Sequence, residues 1–353
     1  MNSLDELAQK LSSIPSEEFR SVYKLSLPVL QNAGLLDALS GGSFKEFHTK
    51  LSQIPLLPHG IGVGVGLMAQ TNIAGKILRL TRDSENSFAK QETREIANKI
   101  LNRLTDGLEI ASFGVSESGW MGRIQNIQSV AKRLPSGEYE LSFEKGFLTN
   151  GADAENFFIV LKGEADFPYG IFYIPRNIPG LKIEEFHLEF AKEATHCKLS
   201  ASNLIVPSSY LFLPDYSAIG PDVHLSEMLS AAVLFCGSIR KIVYDLASRS
   251  DSREIMQNIE RLWDLSGLLL SKCLEISEKK DQSKNYRIEE DHPYGYETTL
   301  DLCTEILDSI PDYDRKKEFP DFELFLSIHP TKSPVYFKNR LKQARSWKKG
   351  KIA

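Results

Sequence analysis

The stretch that decides the fold is Lys145-Gly146-Phe147-Leu148-Thr149-Asn150-Gly151, KGFLTNG, set between EYELSFE and FFIVLKG. Both flanking runs have the apolar, aromatic and β-branched character of strands. Asn-Gly at such a place commonly makes a tight hairpin turn, because both residues tolerate positive φ. The aromatic, the threonine and the amide just before the turn also suit the lining of a flat, hydrogen-bonding ligand. Both readings stand at this level.

Composition narrows the setting. At 353 residues the chain is long enough for two or three domains, and 42% hydrophobic with 25% charged residues is ordinary for a soluble globular protein. A net charge of −5 argues against a nucleic-acid role, which needs surplus Lys and Arg for phosphates. MNSLDELAQKLSS has acids and no apolar core, so it does not read as a secretory signal. No apolar run approaches the roughly 18 residues of a membrane helix. Cys197, Cys236, Cys273 and Cys303 form no CxxC pair, which points to buried thiols in a reducing cytoplasm. The seven histidines show no metal-binding spacing, so no metal is expected.

Three territories follow along the chain. Residues 1–110 read as helical, with stripes at Leu4, Leu7, Ala8 and Leu11, at Val22, Leu25, Val29 and Leu30, and at Phe88, Ile96, Ala97, Ile100, Leu101 and Leu104. Inside them HGIGVGVGLMAQ lacks both the preceding strand and the Lys-Ser/Thr ending of a phosphate loop. It reads as a tightly packed helix in which glycine lets backbones approach. Residues 111–215 break into short β-rich runs (ASFGVSE, IQSVAKRL, EYELSFE, FFIVLKG, YGIFYIP, THCKLSA, NLIVP), the pattern of a small barrel or sandwich. Residues 216–353 return to helices. Leu225, Leu229, Ala232, Cys236, Ile239, Val243 and Leu246 make one seam, and Ile259, Leu262, Trp263, Leu265 and Leu269 a second. Further helices near 296–309 and 335–346 complete a bundle. The fold class is α+β: helical domain, small β-barrel, helical bundle.

This order, and two motifs within it, resemble the acyl-CoA dehydrogenase family. FGVSESGWMGR, Phe113 to Arg123, is similar to the family's first flavin segment, an aliphatic run, Thr-Glu-Pro and a Gly-Ser-Asp. KGFLTNG resembles its second, Lys-x-aromatic-Ile-Thr/Ser-Asn-Gly, and LSASNLIVP resembles the segment before the C-terminal helices. The resemblance covers residues 100–245. It implies FAD, with Ser116 and the backbone of Val115 at the ring's pyrimidine edge, Phe113 also in the cofactor site, and Phe147 and Thr149 beside the ring's reactive nitrogen. It also implies α,β-desaturation of an acyl thioester, in which a carboxylate removes the α-proton while the β-hydrogen passes to the flavin. Burial would raise a glutamate's pKa and strengthen it as a base.

Most members carry that Glu near the C-terminus in a Glu-Gly-Thr context absent here. In isovaleryl and long-chain types it lies on the first bundle helix, as Leu-x-Glu-Arg-Leu with a glycine ten residues on. Leu225-Ser226-Glu227-Met228-Leu229 and Gly237 match that position, so Glu227 is the candidate base; the alternative for a lone acid there is a solvated carboxylate. Glu117 reads as structural.

The chain also departs from the pattern. Met228 replaces an arginine. Trp120, Met121, Gly122 and Arg123 stand where a Gly-x-Gly-Ser-Asp is usual, which leaves Arg123 as the candidate for a phosphate of the substrate or cofactor. The Arg-x-x-Phe-Gly, Gln-x-x-Gly-Gly and Arg-Asp motifs are missing, and PYGYE, Pro293 to Glu297, is at most a remnant. Three functions are compatible: a flavin acyl-thioester dehydrogenase, a non-catalytic or cofactor-poor subunit of a heteromeric dehydrogenase, and a flavin-dependent monooxygenase-type relative. All three expect a homo- or hetero-oligomer of acyl-CoA dehydrogenase-like chains in the cytoplasm, with neither nucleic acid nor a membrane span. The tail from Lys338 to Lys351, seven Lys/Arg and no acid, reads as a solvated end.

Overall fold

The strand that ends in KGFLTNG is eleven residues long, Tyr139–Thr149, in a computed structural model of the chain. The structure describes residues 3–342 apart from 16, 85–88, 121, 250–251, 284–285, 293, 330–337 and 339. Phe88 of the third stripe, Met121, Pro293, and the basic tail apart from 338 and 340–342 therefore lie outside the described residues. Of the helix expected at 335–346, those four residues are described and are helical. Backbone contacts divide the chain into two units. One comprises Met1–Gly42, Val65–Leu188 and Lys192–Val223; the other comprises Ser43–Gly64, Glu189–Ala191 and His224–Ala353.

In the first unit, α1 (Ser3–Ser12), α2 (Val22–Asn32) and α3 (Asp37–Ser40) precede the second half of a long helix. That helix starts in the other unit, where α4 (Phe44–Leu51) leads to α5 (Gly60–Ala69). It continues through a π-helical turn, Gln70–Ala74, into α6 (Gly75–Arg82), and α7 (Gln91–Thr105) follows. The glycine run is thus helix, as expected. At Gly60 an added Cβ would lie 1.9 Å from the carbonyl oxygen of Ile54. The continuous helix Gly60–Arg82 does reach the length and hydropathy of a membrane span, contrary to expectation, but 89% of its apolar window is buried within the protein. That burial is the mark of a core helix.

Among the described residues, eight strands form one sheet: β1 (Ala111–Gly114), β2 (Val130–Arg133), β3 (Tyr139–Thr149), β4 (Asn156–Lys162), β5 (Tyr169–Pro175), β6 (Lys182–Phe186), β7 (His196–Val206) and β8 (Leu211–Leu213). Their order is β6-β7-β3-β2-β4-β5-β8, with β1 parallel to β4. Helical segments on both sides of this central sheet in sequence make the α+β class. β4 is buried along both faces from Asn156 to Leu161, which is why FFIVL reads as a continuous apolar run. β3 instead alternates, as a strand with one covered face does. THCKLSA and NLIVP are one strand, β7, which passes through a positive φ of 54° at Asn203. β6 and β8 were not apparent in the sequence.

The second unit packs α4 on α9 (Arg253–Gln282), beside α8 (Gly220–Arg249, which enters the unit at His224), α10 (Tyr296–Asp308), α11 (Arg315–Glu318) and α12 (Phe322–Ser327). Both long seams are helices of thirty residues. Trp263, expected in the second seam, is instead 41% exposed, its ring 6.0 Å from Tyr244 and 5.2 Å from the Arg240 guanidinium. Two polar devices fix α4. The Asp281 carboxylate accepts from the backbone N–H of Phe44 and Lys45 and from Ser43 Oγ, capping the helix. Buried His48 bonds Ser277 Oγ at 2.7 Å and Ser230 Oγ at 2.8 Å. Burial, reinforced by the Lys280 charge, lowers its imidazole to about 3, so it stays neutral.

Gly60→Ala gains helix propensity yet drives a methyl into a backbone carbonyl. The expected net result is a loss of about 1–3 kcal/mol in urea unfolding; an unchanged or higher midpoint would contradict this packing.

Candidate functional site

KGFLTNG is not a hairpin. β3 pairs with β2 and β7, and the strand after the Asn-Gly turn pairs with β1, β5 and β2 instead. Asn150 takes φ 64°, which turns the chain away from the β3 ladder.

A β-bulge decides where its side chains point. Lys145 pairs with Leu199 and Leu148 with Cys197, so β3 carries one residue more than β7 across this interval. Before the bulge Leu141, Phe143 and Lys145 are buried; after it Leu148 takes over the covered face. Phe147 and Thr149 are thereby turned to the other face, where Phe147 is 40% exposed and Thr149 half-buried. Without the inserted residue both would continue the buried row. The Phe147 ring lies 4.8 Å from His196 and 5.7 Å from Phe186, an aromatic shelf the sequence did not announce. Burial lowers His196 to about 4 and keeps it neutral.

The first motif runs antiparallel beside the second. Ser112 Oγ donates to Thr149 O at 2.6 Å, and Gly146 N donates to Ser116 O at 3.0 Å. At Gly114 an added Cβ would lie 3.2 Å from both Lys145 and Leu148, so glycine allows this approach. A third tether is an ion pair between Glu117 and Lys145, with side chains 5% and 0% exposed. The Glu117 carboxylate also accepts from Gln128 N at 2.7 Å and from Ser129 N. Burial pulls its pKa upward, but the bonds from Lys145, Ser129 and Gln128 outweigh that and hold it below the usual range. Burial also lowers Lys145 to about 8 against the pull of Glu117, so both members remain charged at neutral pH.

These tethers set the backbone of Ser116 beside Gly146, while the bulge turns Phe147 and Thr149 to one face of β3. Val115 is buried, and the half-buried ring of Phe113 sits 5.5 Å from Tyr216. Arg123 is exposed, and its guanidinium has no partner among the described residues. Trp120 is half-buried, with a buried Nε1 that lacks a partner among the described residues.

In the second unit Glu227 lies on α8 between buried Ser226 and Met228. It is partly exposed by surface area yet sits deep enough that burial alone raises its carboxyl to about 7. His224, one turn earlier, is lowered by burial; His292 is lowered to about 4 by burial and then by the His224 charge. The His292 ring lies 5.1 Å from that of Tyr294, which belongs to the PYGYE stretch.

A scan against protein-family models and a search of curated proteins return no match. Solved structures do match over nearly the whole chain. Butyryl-CoA dehydrogenase from Megasphaera elsdenii superposes with a TM-score of 0.72 at 14% identity, covering 91% of each chain. Glutaryl-CoA dehydrogenase from Mycobacterium smegmatis, solved in complex with FADH2, gives 0.71 at 16%, covering 99% of this chain and 91% of that one. PigA with FAD and proline gives 0.69 at 18%, covering 99% and 98%. The chain has the fold of the acyl-CoA dehydrogenases.

Glu117→Gln strands the Lys145 ammonium in the interior and is expected to cost about 3–5 kcal/mol in denaturant unfolding. Combining it with Lys145→Met is expected to recover most of that loss. Glu227 has a separate signature. Its folded pKa stands above the ordinary 4.5, so the folded state holds the extra proton between pH 4.5 and about 7 and loses stability as pH rises through that window. Glu227→Gln should therefore flatten the fall in stability between pH 5 and 8 by up to about 3 kcal/mol. Parallel pH profiles for the two proteins would show the reading wrong.

Proposed function

We propose that the chain is a flavin-dependent oxidoreductase of acyl-CoA dehydrogenase type that introduces an α,β double bond into an acyl thioester. The carrying observation is the antiparallel seam of residues 112–117 against 145–149, with the backbone of Ser116 beside Gly146 and with Phe147 and Thr149 turned to one face. An isoalloxazine ring is flat, apolar on its faces and polar at its edge. An exposed aromatic and half-buried hydroxyls in one seam fit that combination. On this reading Phe113, Val115 and Ser116 hold the pyrimidine edge of FAD, Phe147 walls the ring, and Thr149 hydrogen-bonds beside it. Bound FAD supplies the two-electron acceptor for the β-hydrogen.

Glu227 takes the α-proton. A carboxyl raised to about 7 is matched to proton abstraction near neutral pH, and with Met228 beside it burial does this unaided. Arg123 supplies an exposed guanidinium for a phosphate group of substrate or cofactor. The named activities of butyryl-CoA and glutaryl-CoA dehydrogenase support the acyl-thioester class.

Protein reconstituted with FAD should show the visible flavin band and bleach on addition of butyryl-CoA or glutaryl-CoA. Glu227→Gln should keep the band and slow the bleaching by roughly 10²–10⁴-fold. A protein that takes up no FAD sinks the proposal. Trp120, bulky where the related family has a small-residue turn, favours a second reading, a cofactor-poor subunit paired with an intact homologue. Flavin-free protein that co-purifies with such a homologue would select it.

A further inference from the structure

The strand end beside the aromatic shelf holds a histidine whose place is set by register. Thr149 of β3 pairs with His196 of β7, and His196 pairs with Phe186 of β6. Side chains of directly paired residues share a face, so these three stand in one row across the sheet. The next row on that face is Lys198 with Glu184, an exposed ion pair at 3.1 Å. His196 would be as open as Lys198 but for two rings, and it is 4% exposed. Phe147 and Phe186 lie against it, their ring centroids 4.8 Å and 6.0 Å from the imidazole and 5.7 Å from each other.

An imidazole is a poor filler for an aromatic cluster. Phenylalanine would make the same ring contacts without taking two nitrogens out of water. Neither nitrogen of His196 bonds a described residue; the ring's contacts are the two phenylalanines. Burial keeps it neutral, so one nitrogen is a donor and the other an acceptor. Groups of this kind are few in native interiors, and a ligand that completes their bonds accounts for them. The neighbours of His196 identify that ligand. Phe147 touches it and Thr149 stands opposite it in register, and these are the residues assigned to the wall and the hydrogen-bonding side of the flavin ring. The rim of an isoalloxazine carries acceptors and one N–H, so either imidazole nitrogen finds a match there.

We propose that His196 is a further residue of the flavin site and hydrogen-bonds the polar rim of the bound ring. This deepens the flavoenzyme reading and rests on it. The test is FAD affinity, by fluorescence titration of full-length flavin-free protein, in the native chain, His196→Phe and His196→Gln. His196→Phe keeps a ring in the cluster and removes both nitrogens. It should leave the urea midpoint no lower and weaken FAD roughly tenfold. His196→Gln loses the ring but keeps a donor and an acceptor, and should regain part of that affinity. With histidine nitrogens labelled in the native chain, FAD should shift the ring signals that His196→Phe lacks, a readout that needs no variant to fold. Native affinity in His196→Phe, affinity in His196→Gln below that of His196→Phe, or ring signals unmoved by FAD each overturn the inference. Those results leave the flavin reading standing, whereas a native chain that takes up no FAD sinks both.

Discussion

The Glu117–Lys145 pair holds the seam on which the candidate site is built. Two opposite charges that are almost fully covered have no water to fall back on, so each fixes the other's position. Glu117 lies just after Ser116, and Lys145 lies just before the bulge that turns Phe147 outward. The pair therefore sets the register of the two segments at the point where the strand reverses its faces. A buried ion pair is an expensive way to stabilise a fold. As a register pin it has a purpose an apolar pair would lack, because each charge accepts only the other.

The second unit uses neutral groups for a similar end. His48, pinned between Ser230 and Ser277, and Asp281, folded over the first turn of α4, tie that helix to α8 and α9. Glu227 sits on the same α8, one turn before Ser230. A carboxyl raised by burial needs a support that does not yield to let water in, and a long helix locked by buried hydrogen bonds provides one.

Much of this was legible in the sequence, for physical reasons that differ by element. The seams at 225–246 and 255–274 predicted long helices because amphipathic spacing is a direct imprint of one buried stripe. FFIVLKG read as a strand, and its unbroken apolar run is explained by the cover on both faces that the structure shows. KGFLTNG allowed the readings of a turn and of a site; the structure keeps the turn while removing the hairpin, because pairing partners are long-range and leave no local trace. The bulge at Gly146–Phe147 was invisible for the same reason: it exists only against β7. β6, with Lys182, Glu184 and Glu185 in five residues, lacks any apolar alternation, and β8 is three residues long. Trp263 fell at helical spacing and still faces outward, since a seam two residues wide leaves its flank ambiguous. The approach of Tyr23 and Asn150 to Gly66 joins three distant segments, and only the fold brings them together.

β6 and β8, the two ends of the sheet, have a consequence for the life of the protein in a crowded cell. An open sheet invites a stranger's strand to continue its ladder, and growth of that kind leads to insoluble fibres. Here one border is only three residues long and the other is studded with lysine and glutamate, whose burial against an incoming strand would be prohibitively unfavourable. The same lack of apolar patterning that hides these strands from a reader of the sequence guards the sheet against uncontrolled extension.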